Sequence, residues 1–496
     1  MPASTSVLSR YAKRLFANYP ASGSFRPANR ISRRRKQPRF CVPAEFLEER
    51  TLLSAATLGS AISVGSTWNV AHAVATDAAG DSYVTGRFSG TVNFNPNGTA
   101  VDLTAIGVGD VFVAKYDVND NLIWVDQMGG NGTTANRGES IALDSSGNIY
   151  VAGNFSGTTT FGSTQLTTSA TGSEAFVEKL NTNGTVQWAE SYGGNGENAV
   201  GVGVDSSGNV YALGYSSSNN IDTILKFSPN GSTVWSESIS TNITGSPDGF
   251  AVDGSGDVFV CGNFDGTVNF SPTGRAHYVT APEVTSGFVL KLNTSGNFQW
   301  VSTFIGQTVG SSVGTASLQS LTLDGNGNVI VGGTYSGTVD FNSGTTTLPT
   351  AGGGLLAKLN GSGGLDWAEG LVGVFPEGMG ISGIAVDASN NIYVAGVFSG
   401  TIAFNPNSTQ TWTAAGTLDA FVMEVNSSGN FDWVDTFGGS GAWTELGGIA
   451  VDPNDTIHVA GWYNGTVNFN PNPNGTPDDL SSTGTWSDYL LTLNQP

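Results

Sequence analysis

DSSGNIYVAGNFSGT, residues 144–158, carries more structural information than any other stretch of this 496-residue chain. It opens with an Asp-x-x-Gly turn and runs into a strand, Ile149 to Ala152, that is apolar almost throughout. The turn Asp recurs at Asp77, Asp144, Asp205, Asp253, Asp324, Asp387 and Asp452, with separations of 67, 61, 48, 71, 63 and 65 residues. Around Asp144 the whole unit can be read: SIALD at 140–144, NIYVAG at 148–153, AFVEKL at 175–180 and VQWAES at 186–191. Each run is rich in β-branched and aromatic residues and is bounded by Gly, Asn or Ser, the strand signature. No window keeps helical spacing over three turns. A strand without a polar face needs cover on both sides. Four antiparallel strands per unit, covered on both faces and repeated seven times, predict an all-β fold: a seven-bladed β-propeller. The blade repeats start near residues 69, 137, 198, 246, 316, 380 and 445.

The fourth turn residue is Gly80, Gly147, Gly208, Gly256 and Gly327 in the first five copies, then Asn390 and Asp455. Those three residue types accept a left-handed backbone at least cost, so the substitution pattern predicts φ > 0 there. Turns at Asn181–Gly184, Asn293–Gly296 and Asn426–Gly429 repeat the logic between strands three and four. The first six copies end in a Trp-bearing strand, at Trp124, Trp188, Trp235, Trp300, Trp367 and Trp433. The seventh stops after its third strand, while residues 56–65, ATLGSAISVG, precede copy one. An open ring leaves unpaired sheet edges, so this N-terminal strand is expected to complete the last blade.

Charge divides the chain. Residues 1–50 hold 11 basic and 3 acidic residues; residues 51–496 hold 8 basic and 37 acidic, a balance of −29. So acidic a propeller repels phosphate backbones, which argues against nucleic acid as a partner. The basic leader, residues 1–55, reads as a targeting segment. No stretch reaches the roughly 18 apolar residues of a membrane span. Of the two cysteines, Cys41 lies in the leader and Cys261 takes a small apolar position in a second strand, so no disulfide is expected.

The phrase at 144–158, with GTVNFNP at 90–96 and 465–471, resembles the SBBP class of bacterial β-propeller repeats, and more distantly NHL-type blades. The resemblance spans about residues 58–496, with one departure: copy three, YSSSNNIDTILKF after Gly214, lacks the GTVNF extension. It implies a propeller fold and export, and no reaction. FLEERTLLSA at 46–55 resembles the LEPR-x-LL leader of large exported proteins in certain bacteria, with Glu49 where that motif has Pro; it implies an extracellular or cell-surface location.

Each candidate site has a plainer reading beside it. Asp324-Gly-Asn326-Gly-Asn328 and Asp117-Val-Asn119-Asp-Asn121 open like calcium loops, but neither continues to the bidentate acid at position twelve. Turn geometry explains all seven copies, so no metal or cofactor is expected. Gly310-Ser-Ser312-Val-Gly314 matches a nucleophile elbow in letters, without the strand-to-helix setting that motif requires. His72, His277 and His458 fall at different positions within their units. Lys115, Lys179, Lys226, Lys291 and Lys358 recur in third strands, and acids (Asp126, Glu190, Glu237, Glu369, Asp435) follow the fourth-strand Trp; these predict structural ion pairs. The first-strand segments look mostly apolar, which disfavours acids and His converging on a central channel.

Four Trp break the repeat scheme: Trp412 and Trp486 in second–third loops, Trp68 and Trp443 in inter-blade segments. Antiparallel order puts these connections on one face, and closure makes blades six, seven and one neighbours. Exposed aromatics there suit a sugar ring or a protein partner. The chain is therefore expected to be a non-catalytic, monomeric, exported binding or scaffold module, with glycan as a candidate ligand class. The alternative is a metal-assisted hydrolase or lyase on a propeller scaffold.

Overall fold

Each recurring turn joins the first and second strands of a four-stranded antiparallel sheet, and seven such sheets form the ring of a β-propeller in this computed structural model. It describes residues 56–495 apart from 66–67, 169–171, 195, 217–220, 241–247, 282–284, 310–311, 343–347, 349–351, 374–378, 407 and 473–475. The leader, with Cys41 and the FLEERTLLSA motif, lies outside the described residues. No helix occurs among them. First strands start at Trp68, Arg137, Glu197, Gly249, Thr315, Met379 and Trp443, and each packs against the first strand of the next blade.

The turns behave as their composition predicts. Gly80, Gly147, Gly208, Gly256 and Gly327 have φ between 76° and 86°, and Asn390 and Asp455 have 65° and 63°. The second strands are buried on both faces: Ile149, Tyr150, Val151 and Ala152 are each 0% exposed.

Ring closure uses the N-terminal strand. Thr57–Val64 pairs antiparallel with Ser487–Asn494, setting Leu58 opposite Leu493 and Ile62 opposite Leu490. Ile62 and Val64 share a buried cluster with Phe88 and Phe112 of blade one. One strand thus completes blade seven and seals its joint with blade one.

The second–third connections hold a device that repeat counting did not reveal. The GTVNF segment forms a short hairpin in blades one, two, four, six and seven, such as Thr158–Phe161 with Thr164–Thr167. Its Phe plugs its own blade: Phe161 lies 4.8 Å from Phe176, Phe270 4.9 Å from Phe288, and Phe404 4.8 Å from Phe421. Its edge reaches the previous blade's outer strand. Thr159 and Thr160 pair with Gly130 and Gly129, Ile402 and Ala403 with Gly373 and Val372, and in blade five Val339 with Gly306. The first part of these loops is therefore a clasp between blades. Blade three, which runs directly from Val210–Ser216 to Ile221–Phe227, has no such hairpin among its described residues.

Candidate functional site

On the turn face the carboxylates that resembled ligands are consumed by their own turns. In all seven copies Oδ1 of the turn Asp accepts two backbone N–H groups, as Asp324 does from Asn326 and Asn328, both at 2.9 Å. Oδ2 takes side-chain donors. The Tyr83, Tyr150, Tyr211 and Tyr393 hydroxyls donate to it in their blades, and Lys358 Nζ reaches Asp324 at 2.8 Å. Burial pushes Asp77, Asp144, Asp205 and Asp324 upward, but their hydrogen bonds win and hold the carboxyl below its ordinary range.

The third-strand lysines belong to the same face, which corrects the expected pairing. Lys115 meets Asp77 at 3.1 Å and Asp81 at 2.9 Å, and Lys291 meets Asp257 at 2.9 Å. Lys179 lies over the Tyr150 ring. The register explains it: each of these Lys stands opposite its blade's Trp, two pairs closer to the turn than the predicted acids. The structure gives ion pairs with turn acids and none between these lysines and Asp126, Glu190, Glu237, Glu369 or Asp435 among the described residues.

The opposite half of the ring has its own periodic feature. Six first strands carry a β-bulge opposite a second-strand Gly: Ala71 pairs with Gly86 and Ala73 with Thr85, leaving His72 as the extra residue. The same register leaves Glu139, Val200, Gln319, Ser382 and Gly447. In blade four Asp248 holds the corresponding place five residues before Asp253, and its amide donates to the carbonyl of Cys261, the residue paired with Gly249. All seven are partly exposed. Each stands five residues before its turn Asp, about 16 Å up the inner strand toward the loop face. Bulges re-aim side chains and are common beside functional sites. The inner strands are therefore not a uniform apolar lining, and the expectation that no acid and His converge at the channel is corrected.

Convergence occurs where blades seven, one and two meet. His72 Nδ1 lies 3.2 Å from Glu139 Oε2, and Arg137 Nε lies 2.5 Å from Glu139 Oε1. The His72, Glu139 and Arg137 side chains are 18%, 20% and 22% exposed, enough to meet solvent. Burial lowers the His72 pKa, Glu139 opposes this, and Arg137 and Arg87 lower it further. The imidazole is then neutral near pH 7; the Glu139 contact assigns the proton to Nδ1 and leaves Nε2 as an acceptor. For Arg87, burial and then Arg137 disfavour the charge, and Glu139 favours it. On the blade-seven side the Trp462 ring is 5.8 Å from His72, and Glu445 is paired with Trp462 across the strands. Burial raises Glu445 to about 7 despite its 2.7 Å hydrogen bond from Trp443 Nε1.

Of the four Trp singled out in the sequence, Trp443 thus borders this strip through Glu445. Trp412 and Trp486 stand at the same end of blades six and seven, one in the hairpin and one directly before the third strand. Trp412, Trp443 and Trp486 are half-buried, which corrects the expectation of exposed aromatics. Trp412 is held by Phe404 at 5.6 Å and Phe431 at 6.2 Å, because the hairpin folds back onto its own blade. Trp68 begins the first strand of blade one, and its side chain lies outside the described residues. So does part of the Gly310–Gly314 motif, whose Ser312–Val313 pairs with Thr308 and Val309 in a hairpin at the end of blade four's outer strand. Sequence reading missed His72, Glu139, Arg137 and Arg87 as a group. The fixed offset of five residues before each turn Asp was the signal that finds two of them.

The family comparison agrees on a β-propeller repeat. The beta-propeller repeat family SBBP matches residues 123–154, from the outer strand of blade one into the second strand of blade two. An uncharacterized WD repeat-containing protein of Acanthamoeba polyphaga mimivirus is 25% identical over 468 residues, covering 76% of this chain. The chain spans about a third (33%) of that relative's length. A Lactobacillus plantarum protein is 13% identical with a TM-score of 0.33, covering 71% of this chain and 91% of its own. Staphylococcus aureus virginiamycin B lyase, solved as an inactive variant with quinupristin, is 10% identical with a TM-score of 0.32, covering 72% and 95%.

Proposed function

We propose that this chain is an exported, monomeric, non-catalytic binding and scaffold module that presents the loop-side mouth of its ring to a glycan. The observation that supports this most is the bulge ring: seven equivalent, partly exposed positions filled by His, Glu, Val, Asp, Gln, Ser and Gly. A rigid scaffold carrying different side chains at one repeated position is how a fold acquires a recognition surface. The half-buried Trp443, Trp486 and Trp412 border the same mouth and supply apolar rims for sugar rings. A glycan array probed with the purified propeller tests the reading. Binding that falls when Trp443 and Trp486 are changed to Ala, at unchanged melting temperature, supports it. Binding to no glycan rejects the ligand class.

One observation favours a second reading as hydrolase or lyase. In the His72–Glu139 pair, a carboxylate orients a neutral imidazole whose other nitrogen is free to take a proton, the usual base-and-orienter arrangement. If that reading holds, any glycan bound in the array is turned over, and His72→Ala stops turnover while binding remains.

A further inference from the structure

Seven blades share six Gly-Thr-x-x-Phe segments, at 90–94, 157–161, 266–270, 337–341, 400–404 and 465–469. The Phe of each segment is buried, none more than 4% exposed. Blade three has no such segment, so its joint with blade two lacks a clasp among the described residues. Blade two nevertheless ends in the residues that receive a clasp elsewhere. SYGGNG at 191–196 matches QMGGNG at 127–132 in blade one and TFGGSG at 436–441 in blade six.

At the clasped joints a strand backbone lies against these glycines. A Cβ on Gly130 would overlap the Thr158 carbonyl oxygen, and one on Gly439 the Thr466 carbonyl oxygen. In blade six the Asn468 N–H of the clasp donates to the Gly438 carbonyl at 3.1 Å. The same positions in blade two are Gly193 and Gly194. They turn to left-handed φ of 77° and 78°, which none of Gly129, Gly130, Gly438 and Gly439 does, and the outer strand stops at Tyr192. A Cβ on Gly194 would meet nothing within 4 Å among the described residues. Glycine passes between extended and left-handed backbone at little cost, so the same pair of residues suits both states.

A buried side chain beside them points to the same ligand. Asn136, eight residues before its turn Asp, donates through Nδ2 to the hydroxyl of the clasp residue Thr159 at 3.2 Å. The corresponding residue of blade three is Glu197, eight before Asp205. Glu197 is 2% exposed, and its Oε1 has no hydrogen-bond partner among the described residues. A Cβ on Gly193 would overlap its carboxyl carbon, so the group lies against the clasp position. Burial raises its pKa to about 7, and either protonation state can hydrogen-bond a hydroxyl. A buried polar atom left unpaired costs free energy, and an incoming hydroxyl removes that cost.

We propose that Gly193, Gly194 and Glu197 form a β-augmentation site for an extended Gly-Thr-Thr-x-Phe strand of another polypeptide. The strand pairs with the blade-two edge as a clasp does, and its second Thr sets a hydroxyl on Glu197. Backbone pairing supplies the affinity of such a site and alternate side chains its specificity. The strand comes from another molecule because all six segments of this chain are seated through their own Phe.

The test is calorimetric titration of the full chain with a synthetic peptide of residues 156–168, SGTTTFGSTQLTT. One peptide variant carries Thr160→Pro, which removes the N–H that Asn468 uses in blade six; another carries Thr159→Val, which removes the hydroxyl. The protein variant is Gly194→Asn: Asn accepts the left-handed backbone, but its Cβ blocks the incoming carbonyl. Gly274→Asn, at a blade-four loop glycine with φ 74° and nothing within 4 Å among the described residues, is the control. The wild type should bind the peptide. Thr160→Pro and Gly194→Asn should each weaken binding about tenfold or more, and Thr159→Val about fivefold. Gly274→Asn should bind as the wild type, and the protein melting curves should coincide. Failure of the wild type to bind the peptide overturns the inference. So does binding unchanged by Thr160→Pro, a readout that needs no protein variant to fold. Self-association in sedimentation that Gly194→Asn abolishes would overturn the assignment to another polypeptide and give the site to a second copy.

Discussion

Five residues separate two rings in every blade, and the two have opposite characters. At the turn ring, seven Asp side chains make the same two backbone hydrogen bonds, and seven Gly, Asn or Asp residues supply the same positive φ. At the bulge ring the backbone repeats as strictly, yet the residues run His72, Glu139, Val200, Asp248, Gln319, Ser382 and Gly447. Uniform geometry with uniform chemistry marks a position spent on the fold. Uniform geometry with varied, mostly polar chemistry marks one released from it. Gly447 shows the limit of that release, because a Cβ there would stand 2.1 Å from the Ala71 carbonyl oxygen across the closing joint.

Withdrawing the support common to both rings should have the largest effect. Deleting Ala56–Gly65 removes an edge strand and the burial of Ile62 and Val64, a loss of roughly 5 kcal/mol from apolar area and cavity together. Chemical denaturation should show the midpoint falling accordingly; an unchanged midpoint would show that closure does not hold the ring. Next is a direct contrast within one blade. Asp324→Ala strands Lys358 in a buried site and should cost about 3 kcal/mol. Gln319→Ala, five residues away, should stay within about 0.5 kcal/mol. Equal costs at the two positions would erase the distinction between the rings.

Acid and base should separate the two sets of carboxyl groups. Folding lowers the pKa of turn acids such as Asp77 and Asp324, so their stabilisation is present above the unfolded value near 4 and is lost as pH falls below it. Glu445, Glu197 and Asp435 are raised to about 7 by burial, so stability declines as pH rises from about 4 toward 7 and levels off above. Thermal melting should therefore peak near pH 4–5, and Glu445→Gln should flatten the alkaline side alone. A maximum at pH 8 would contradict these directions. The smallest effect is expected at the turn position itself. Asp455→Gly should stabilise by about 0.5 kcal/mol, since Gly has no Cβ strain at φ 63°. A loss of stability in the same denaturation assay would argue against that strain.

Much of the ring was legible because backbone demands leave residue signatures. A left-handed φ admits few residue types, a doubly covered strand shows no polar face, and a missing fourth strand in copy seven has to be found elsewhere in the chain. The clasp was hidden: GTVNF reads as loop, and nothing local in Thr159 reveals that its partner is Gly130 of another blade. The mouth cluster was hidden for the same reason. His72 and Glu139 are 67 residues apart in sequence, as their turn acids are, and only blade packing sets them 3.2 Å apart. The lysine partners were misassigned because the predicted acids stand two pairs further from the turn, while the turn acids lie within reach of the long side chain. Trp412, Trp443 and Trp486 stand at one end of their blades, but the half-burial of Trp412 depended on how its hairpin folds back.

The most direct measurement is a paired scan that reads binding and melting on the same proteins. Glycan-array binding and melting temperature would be compared for the bulge variants His72→Gln and Glu139→Gln and for the turn variants Asp144→Asn and Asp324→Asn. The bulge variants should lose binding with melting temperatures near that of the wild type, and the turn variants should lose melting temperature first. Binding that follows melting temperature across both sets, or that ignores the bulge variants, would contradict the division of labour between the two rings.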